Sequence, residues 1–134
     1  MDIVEIIRRF LKLLFKIDEI PKPVQIPLTP QDEGVKNKFD AIRKEQYDEK
    51  NNNCMNKSDE FAKYIISRNA ENVDKIIIGH DSGKYGHEFI IWNEFAYDPT
   101  VENMIYGVNL QRYLDSLIPL GFTGMRIRMK WVAG

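Results

Sequence analysis

The stretch that decides the fold is HEFIIWNEFAYDPT, residues 87–100, in which Asn93 and Glu94 turn the chain between two apolar runs. Both runs are rich in β-branched and aromatic residues, which predicts two short strands joined by a tight turn. The first strand opens on His87 and the second closes on Asp98, so the hairpin brings both residues to the same end of adjacent strands. A strand requires neither residue for its own stability, and both are therefore candidates for a site.

Two further stretches predict strands that extend this sheet. VDKIIIGH, residues 73–80, is an isoleucine-rich run that ends at the turn-forming DSGKYG, residues 81–86. MRIRMKW, residues 125–131, alternates apolar and basic residues, which is typical of a half-buried antiparallel strand. The residues predicted to face the core are Met125, Ile127, Met129 and Trp131.

Three segments are expected to be helical: residues 35–50, 54–70 and 109–121. Cys54 lies in the first turn of the second helix, on its inward-facing stripe. Helices segregated from a run of antiparallel strands are typical of an α+β domain. We expect one such domain over residues 35–134, in which the cysteine helix packs on an antiparallel sheet of about four strands.

The composition limits the partners of the chain. Its 134 residues suffice for one domain, and a net charge of -1 with 29% charged residues gives no basic footprint for nucleic acid. Arg126, Arg128 and Lys130, on one face of the last strand, are accordingly expected to be solvated, because three charges bind nucleic acid weakly. Cys54 is the only cysteine, so no intrachain disulfide can form, and either a reducing compartment or indifference to redox conditions is expected.

Residues 1–34 precede the predicted domain. Residues 1–20 carry apolar residues at three- and four-residue spacing with charges opposite, which predicts an amphipathic helix. These charges interrupt every apolar run, so we expect neither a signal peptide nor a membrane span. We therefore expect a cytoplasmic protein. We expect the helix to bind its own domain, a second copy or another partner, since its acidic residues disfavour a membrane surface. Residues 21–34 hold four of the six prolines and predict a stiff linker.

Cys54, His87 and Asp98 have the residue types of a nucleophile, its base and the group that orients the base. At a helix N-terminus, the helix dipole and unpaired backbone N–H groups stabilise a thiolate and can donate to an oxyanion. His87 opens a strand in the sheet under the cysteine helix and is the expected general base, with Asp98 accepting from its other ring nitrogen.

The order cysteine, histidine and aspartate, with HEFIIW at the histidine and YDPT at the aspartate, resembles the transglutaminase-like core of the papain-like cysteine enzyme superfamily. In that family the histidine strand commonly reads His-Ala-Trp-Val-Glu-Val and the aspartate strand ends in Asp-Pro-Thr. The resemblance in sequence covers residues 51–100. In the rest of the chain only the architecture is similar. It implies a Cys54, His87, Asp98 triad and acyl transfer at a carboxamide, most often hydrolysis of a peptide or isopeptide bond in a peptide or protein substrate, without a cofactor.

The chain departs from the family pattern next to the cysteine. Asn53 and Met55 flank Cys54, where the family often has a glycine-rich approach and tryptophan or alanine. The side chain that completes the oxyanion hole is therefore left open. The candidates are Gln46, Asn51 and Asn52.

Two alternative hypotheses compete with the enzyme. Cys54, His80, His87 and Asp98 have the ligand types of a zinc site, but the sequence holds no close ligand pair such as C-x-x-C, so no metal is expected. His80 is interpreted as a turn or rim residue. The second alternative is a catalytically inactive transglutaminase-like binding or assembly module, in which Cys54 is a small core residue and His87 a satisfied polar one.

Overall fold

The structure of the protein is a computed structural model that describes residues 2–15 and 26–132. Residues 16–20 of the predicted N-terminal helix and residues 21–25 of the predicted linker lie outside the described residues. The described chain has an α+β fold, as the sequence predicts. Its helices are α1 (Ile3–Phe15), α2 (Glu33–Lys44), α3 (Cys54–Ser67) and α4 (Leu110–Leu117), and α4 continues as a 3-10 turn over Ile118–Leu120.

The strands of the described chain form one antiparallel sheet in the order β4-β3-β2-β1-β5. They are β1 (Val73–Gly79), β2 (Gly86–Trp92), β3 (Phe95–Asp98), β4 (Ile105–Asn109) and β5 (Arg126–Lys130). The predicted β2–β3 hairpin is confirmed, with Trp92 paired to Phe95 and Ile90 to Tyr97. Asn93 and Glu94 take the left-handed backbone conformation that a two-residue hairpin turn requires.

The central strand β2 is buried on both faces of the sheet. Ile90 and Trp92 belong to a core cluster that contains α2 and α3 residues, including Phe39 and Phe61. Phe89 and Ile91 belong to a second cluster, with Tyr113 and Leu114 of α4. Because helices cover both faces, β2 is a continuous apolar run from Phe89 to Trp92, after its first three residues.

Helix α3 is tied to β2 one turn after Cys54. The Ser58 hydroxyl, which is fully buried, donates to the backbone carbonyl of Glu88 at 3.1 Å. Farther along the chain, the Trp131 indole N–H donates to Asp59 at 2.9 Å. The Ser58 bond holds the N-terminal half of α3 beside the start of β2, where His87 lies.

The helix predicted over residues 35–50 ends at Lys44, so its predicted C-terminal part is wrong. Two side chains stabilise the end of the helix and the turn that follows it. The Asp48 carboxylate accepts from the N–H groups of Lys50 and Asn51, which closes the turn. The Lys57 ammonium donates to the carbonyls of Arg43 and Glu45 at 3.1 and 3.0 Å, and so satisfies the end of α2.

The half-buried strand predicted over residues 125–131 is antiparallel to β1, but its predicted burial is wrong. Met125, Ile127 and Met129 are 76%, 44% and 39% exposed, and of the predicted core residues only Trp131 is buried. The reason is position: β5 is an edge strand, and α3 packs on β2 instead. On the opposite face Arg128 pairs with Asp74 and Glu94, so one of the three basic side chains is neutralised locally.

Helix α1 lies within the predicted amphipathic segment. Its apolar side chains Ile3, Ile6, Ile7 and Phe10 are between 49% and 71% exposed, so the rest of the described chain leaves them largely uncovered. In the part of the chain that the structure describes, no helix is both long and apolar enough to cross a bilayer.

Candidate active site

The hairpin brings His87 and Asp98 into direct contact, as its sequence predicts. Beyond the Ile90–Tyr97 pair, the His87 ring Nε2 lies 2.5 Å from Asp98 Oδ2. Both residues are buried, and Asp98 has no solvent exposure. The contact leaves ring atom Nδ1 of His87 available to a second partner.

Two further donors hold the Asp98 carboxylate. The Tyr113 hydroxyl of α4 donates to Oδ2, the oxygen that His87 also contacts, and the backbone N–H of Thr100 donates to Oδ1 at 3.0 Å. Burial and the Asp98 charge raise the pKa of Tyr113, so its hydroxyl stays protonated as a donor. Asp98 is thus fixed from the helix side and from its own Asp-Pro-Thr turn.

Tyr113 is the residue of this site that sequence reasoning misses. Its helical spacing with Leu114 and Leu117 marks it as a core residue, and it does lie in the core cluster under α4. A buried tyrosine usually finds a hydrogen-bond partner for its hydroxyl, and this is the one available signal. This tendency predicts that the hydroxyl has a partner, but it does not identify Asp98 as that partner.

Cys54 is the first residue of α3, as predicted, and it is half-buried. Asn53 caps the helix: its side chain accepts from the N–H groups of Met55 and Asn56, while Asn56 accepts from the N–H of Asn53. Among the described residues, the backbone N–H of Cys54 has no hydrogen-bond partner. The cap therefore leaves one first-turn donor free beside the thiol.

Cys54 and His87 line one cavity of about 360 Å³. No hydrogen bond of standard geometry joins Cys54 Sγ to the ring in the described residues, so the predicted thiol–imidazole bond stays a prediction. Catalytic hydrogen bonds are often long before a substrate binds. The other lining residues are Tyr47, Tyr85, Gly86, Thr100, Val101, Leu117, Leu120 and Phe122.

The charge state of His87 follows from these neighbours. Burial lowers the pKa of the ring, but the hydrogen bond and the negative charge of Asp98, together with the neighbouring Cys54 side chain, outweigh burial and raise it from 6.5 to about 10. The ring is therefore an imidazolium at neutral pH. A cation held at the cavity wall by a buried carboxylate can stabilise a thiolate or another anion in that cavity.

We expect the His87 ring to titrate with a midpoint near pH 10, which NMR of the ring carbons would follow. Because the folded pKa lies above the ordinary 6.5, protonated His87 stabilises the fold. Its contribution to the free energy of unfolding is complete below about pH 6.5 and is lost as the pH rises through about 10. The stability difference between the protein and His87→Gln, from urea unfolding, should shrink over that range. A midpoint at or below 6.5 would contradict the expectation.

The three predicted oxyanion residues differ in where they lie. Gln46 and Asn51 are exposed in the loop before α3, and neither lines the cavity. The Asn52 side-chain amide donates to the Gln46 carbonyl at 3.0 Å, which ties the loop together. None of the three lines the Cys54 cavity, whereas the backbone N–H of Cys54 itself is a donor beside the thiol.

His80 lies on the rim, next to the cavity and apart from the Asp98 contact. Its Nδ1 lies 2.8 Å from Ser82 Oγ and 3.1 Å from Asp81 Oδ1, and its Nε2 lies within hydrogen-bond distance of the Leu120 carbonyl, at 3.2 Å. Within the described residues, no group of three or more His, Cys, Asp or Glu side chains is arranged to hold a metal ion. The described residues therefore do not provide the converging ligands that the zinc alternative requires.

Comparison with known proteins adds no relative to this geometry. A functional assignment therefore rests on two observations. These are the motifs HEFIIW and YDPT and the contacts around His87. No family model matches the chain, and no match to it is found among the curated proteins or the solved structures.

Proposed function

We propose that the protein is a cysteine-dependent acyl-transfer enzyme that hydrolyses a peptide, isopeptide or other amide bond, with Cys54 as nucleophile. The observation that carries the proposal is the cavity that Cys54 and His87 share, with His87 held by the buried Asp98. A cysteine that opens a helix and a charged imidazole beside it make a reactive thiolate pair. The resemblance of HEFIIW and YDPT to a transglutaminase-like core supports the same chemistry.

In the first half of the proposed reaction, the Cys54 thiolate attacks the carbonyl carbon of the amide. The resulting oxyanion accepts a hydrogen bond from the free N–H of Cys54. The imidazolium of His87 gives its proton to the leaving nitrogen, the C–N bond breaks and an amine departs. The acyl group remains on Cys54 as a thioester, and His87 is neutral.

In the second half, water attacks the thioester carbonyl while His87 takes a proton from that water. The C–S bond then breaks, the carboxylic acid leaves and the thiolate–imidazolium pair is restored. Asp98 and Tyr113 stay in place throughout, because they touch His87 or each other and never the substrate. They are positioning residues, which keep Nδ1 of the ring aimed at the cavity.

Labelling of Cys54 with iodoacetamide at pH 7 tests the proposal. We expect rapid modification in the folded protein and a rate about tenfold or more lower in His87→Gln, because the thiolate loses its cation. Lys63→Ala, on the exposed face of the same helix, is the control and should label like the unmodified protein. Mass spectrometry of the intact chain gives the rates, since Cys54 is the only cysteine. A slow rate that His87→Gln does not change would favour the inactive binding module.

A further inference from the structure

Part of the wall of the Cys54 cavity is apolar. Tyr85, Leu120 and Phe122 line it, and Tyr85 and Leu120 are 57% and 64% exposed. None of its lining residues, all within the described chain, is a Lys, Arg, Asp or Glu. Exposed large apolar side chains beside a cavity mark a contact surface, because burying them on a ligand removes apolar area from water. Among these lining residues, the charged groups are those of the proposed reaction, and the Asp81 carboxylate lies behind the wall, 3.1 Å from Nδ1 of His80.

One residue outside the proposed triad holds the three wall residues together. The His80 ring stacks on Tyr85 at a centroid distance of 4.4 Å and meets the edge of Phe122 at 5.3 Å. Its Nε2 lies within hydrogen-bond distance of the carbonyl of Leu120. The backbone fits closely around the ring, because a Cβ added at Gly121 would lie 2.3 Å from His80 Nε2.

The position of Gly121 adds a second constraint. Its φ of 93° lies in the left-handed region, which a residue with a side chain seldom adopts. The chain therefore reverses after the 3-10 turn at the one place where the His80 ring needs room. Leu120 and Phe122, on either side of Gly121, are both directed by this reversal to the cavity.

We infer that this wall is a specificity subsite that takes an uncharged apolar or aromatic side chain of the substrate, next to the carbonyl that Cys54 attacks. The inference rests on the proposed function and adds to it the class of acyl group. The wall offers aromatic faces and a leucine side chain, and no cation for a carboxylate or anion for an amine. His80 is its positioning residue and makes no contact with the reacting atoms.

Labelling with three reagents tests the subsite separately from the chemistry. Iodoacetamide reports the reactivity of Cys54 alone, because it has no side chain that could contact the apolar wall. Two peptidyl chloromethyl ketones, one with a benzyl and one with a carboxyethyl side chain beside the ketone, report the subsite. We expect the benzyl reagent to label Cys54 about tenfold or more faster than the carboxyethyl one, the discrimination that an apolar pocket typically provides.

Variants locate the preference. Tyr85→Ala and His80→Ala should lower the benzyl-to-carboxyethyl ratio severalfold, and because both ketones react with the same thiol, this ratio cancels any change in the reactivity of Cys54. Tyr85→Ala removes an exposed side chain, so it keeps the test decisive even if His80→Ala unfolds. Met104→Ala, exposed and outside the cavity, is the matched control and should keep the ratio.

The outcomes separate the two claims. Equal labelling by both ketones, with fast iodoacetamide labelling retained, would overturn the subsite and leave the proposed function standing. Failure of all three reagents to label Cys54 would overturn both. A ratio that Tyr85→Ala leaves unchanged would also overturn the subsite, because the preference would then come from another surface.

Discussion

Replacing Cys54 with alanine is expected to abolish amide hydrolysis while the fold persists. In the proposed reaction every bond change passes through the thiolate, so the loss in kcat should be of the order found when a nucleophile is removed, roughly 10⁶-fold. The free energy of unfolding should change by no more than about 1 kcal/mol, because a half-buried thiol in a first helical turn contributes little beyond one sulfur atom. Hydrolysis of an amide substrate with an apolar acyl side chain and urea unfolding measure the two effects.

Two controls make the Cys54→Ala result specific. Lys63→Ala, on the same helix, should retain both activity and stability. Cys54→Ser should also lose most activity, since a hydroxyl beside an imidazolium is a weak nucleophile. Hydrolysis that survives Cys54→Ala at a comparable rate would remove Cys54 from the mechanism. Loss of the folded state in that variant would show that the thiol has a packing role that the half-buried site does not suggest.

Replacing Asp98 with alanine is expected to have the largest effect on stability of any change at the site. Asp98 is fully buried and receives hydrogen bonds from His87, Tyr113 and the backbone of Thr100. Its removal leaves a buried imidazolium and a buried hydroxyl without their acceptor, which typically costs about 3–5 kcal/mol. The pKa of His87 should fall at the same time, because its principal anionic partner is gone.

Asp98→Asn separates the charge from the volume of this side chain. An amide keeps the size, but it holds the ring without charge and in the wrong tautomer, so we expect kcat to fall by about 10⁴, less than for Cys54→Ala. Tyr113→Phe is the milder comparison, since it removes one donor and leaves His87 paired. Urea unfolding of the three variants should rank Asp98→Ala as the least stable. Equal stability of Asp98→Ala and the unmodified protein would mean that His87 is not held as an imidazolium.

Local patterns accounted for the parts of the fold that depend on near neighbours in sequence. The β2–β3 hairpin follows from two apolar runs around Asn93 and Glu94, and the start of α3 at Cys54 follows from the capping amide of Asn53. The same patterns brought His87 and Asp98 together, because a tight hairpin has only one way to align its ends.

Other elements could not be read from local patterns. Strand β4 was not predicted, since Gly107 at a φ of 71° breaks its alternation at a register shift against Ala96 and Tyr97. The end of α2 at Lys44 depends on Lys57, which is distant in sequence and donates to the last carbonyls of the helix. In both cases the deciding contact is made by tertiary packing, which the periodicity of the sequence does not reveal.

The sequence by itself therefore determined the α+β class, the antiparallel hairpin and the residues Cys54, His87 and Asp98 as one candidate group. Only the tertiary structure decided that Tyr113 completes the Asp98 contacts and that β5 is an exposed edge strand. The physical reason is the range of the interactions. Periodicity and capping act over a few residues, whereas the burial of a strand face and the partner of a buried hydroxyl depend on which helix packs there.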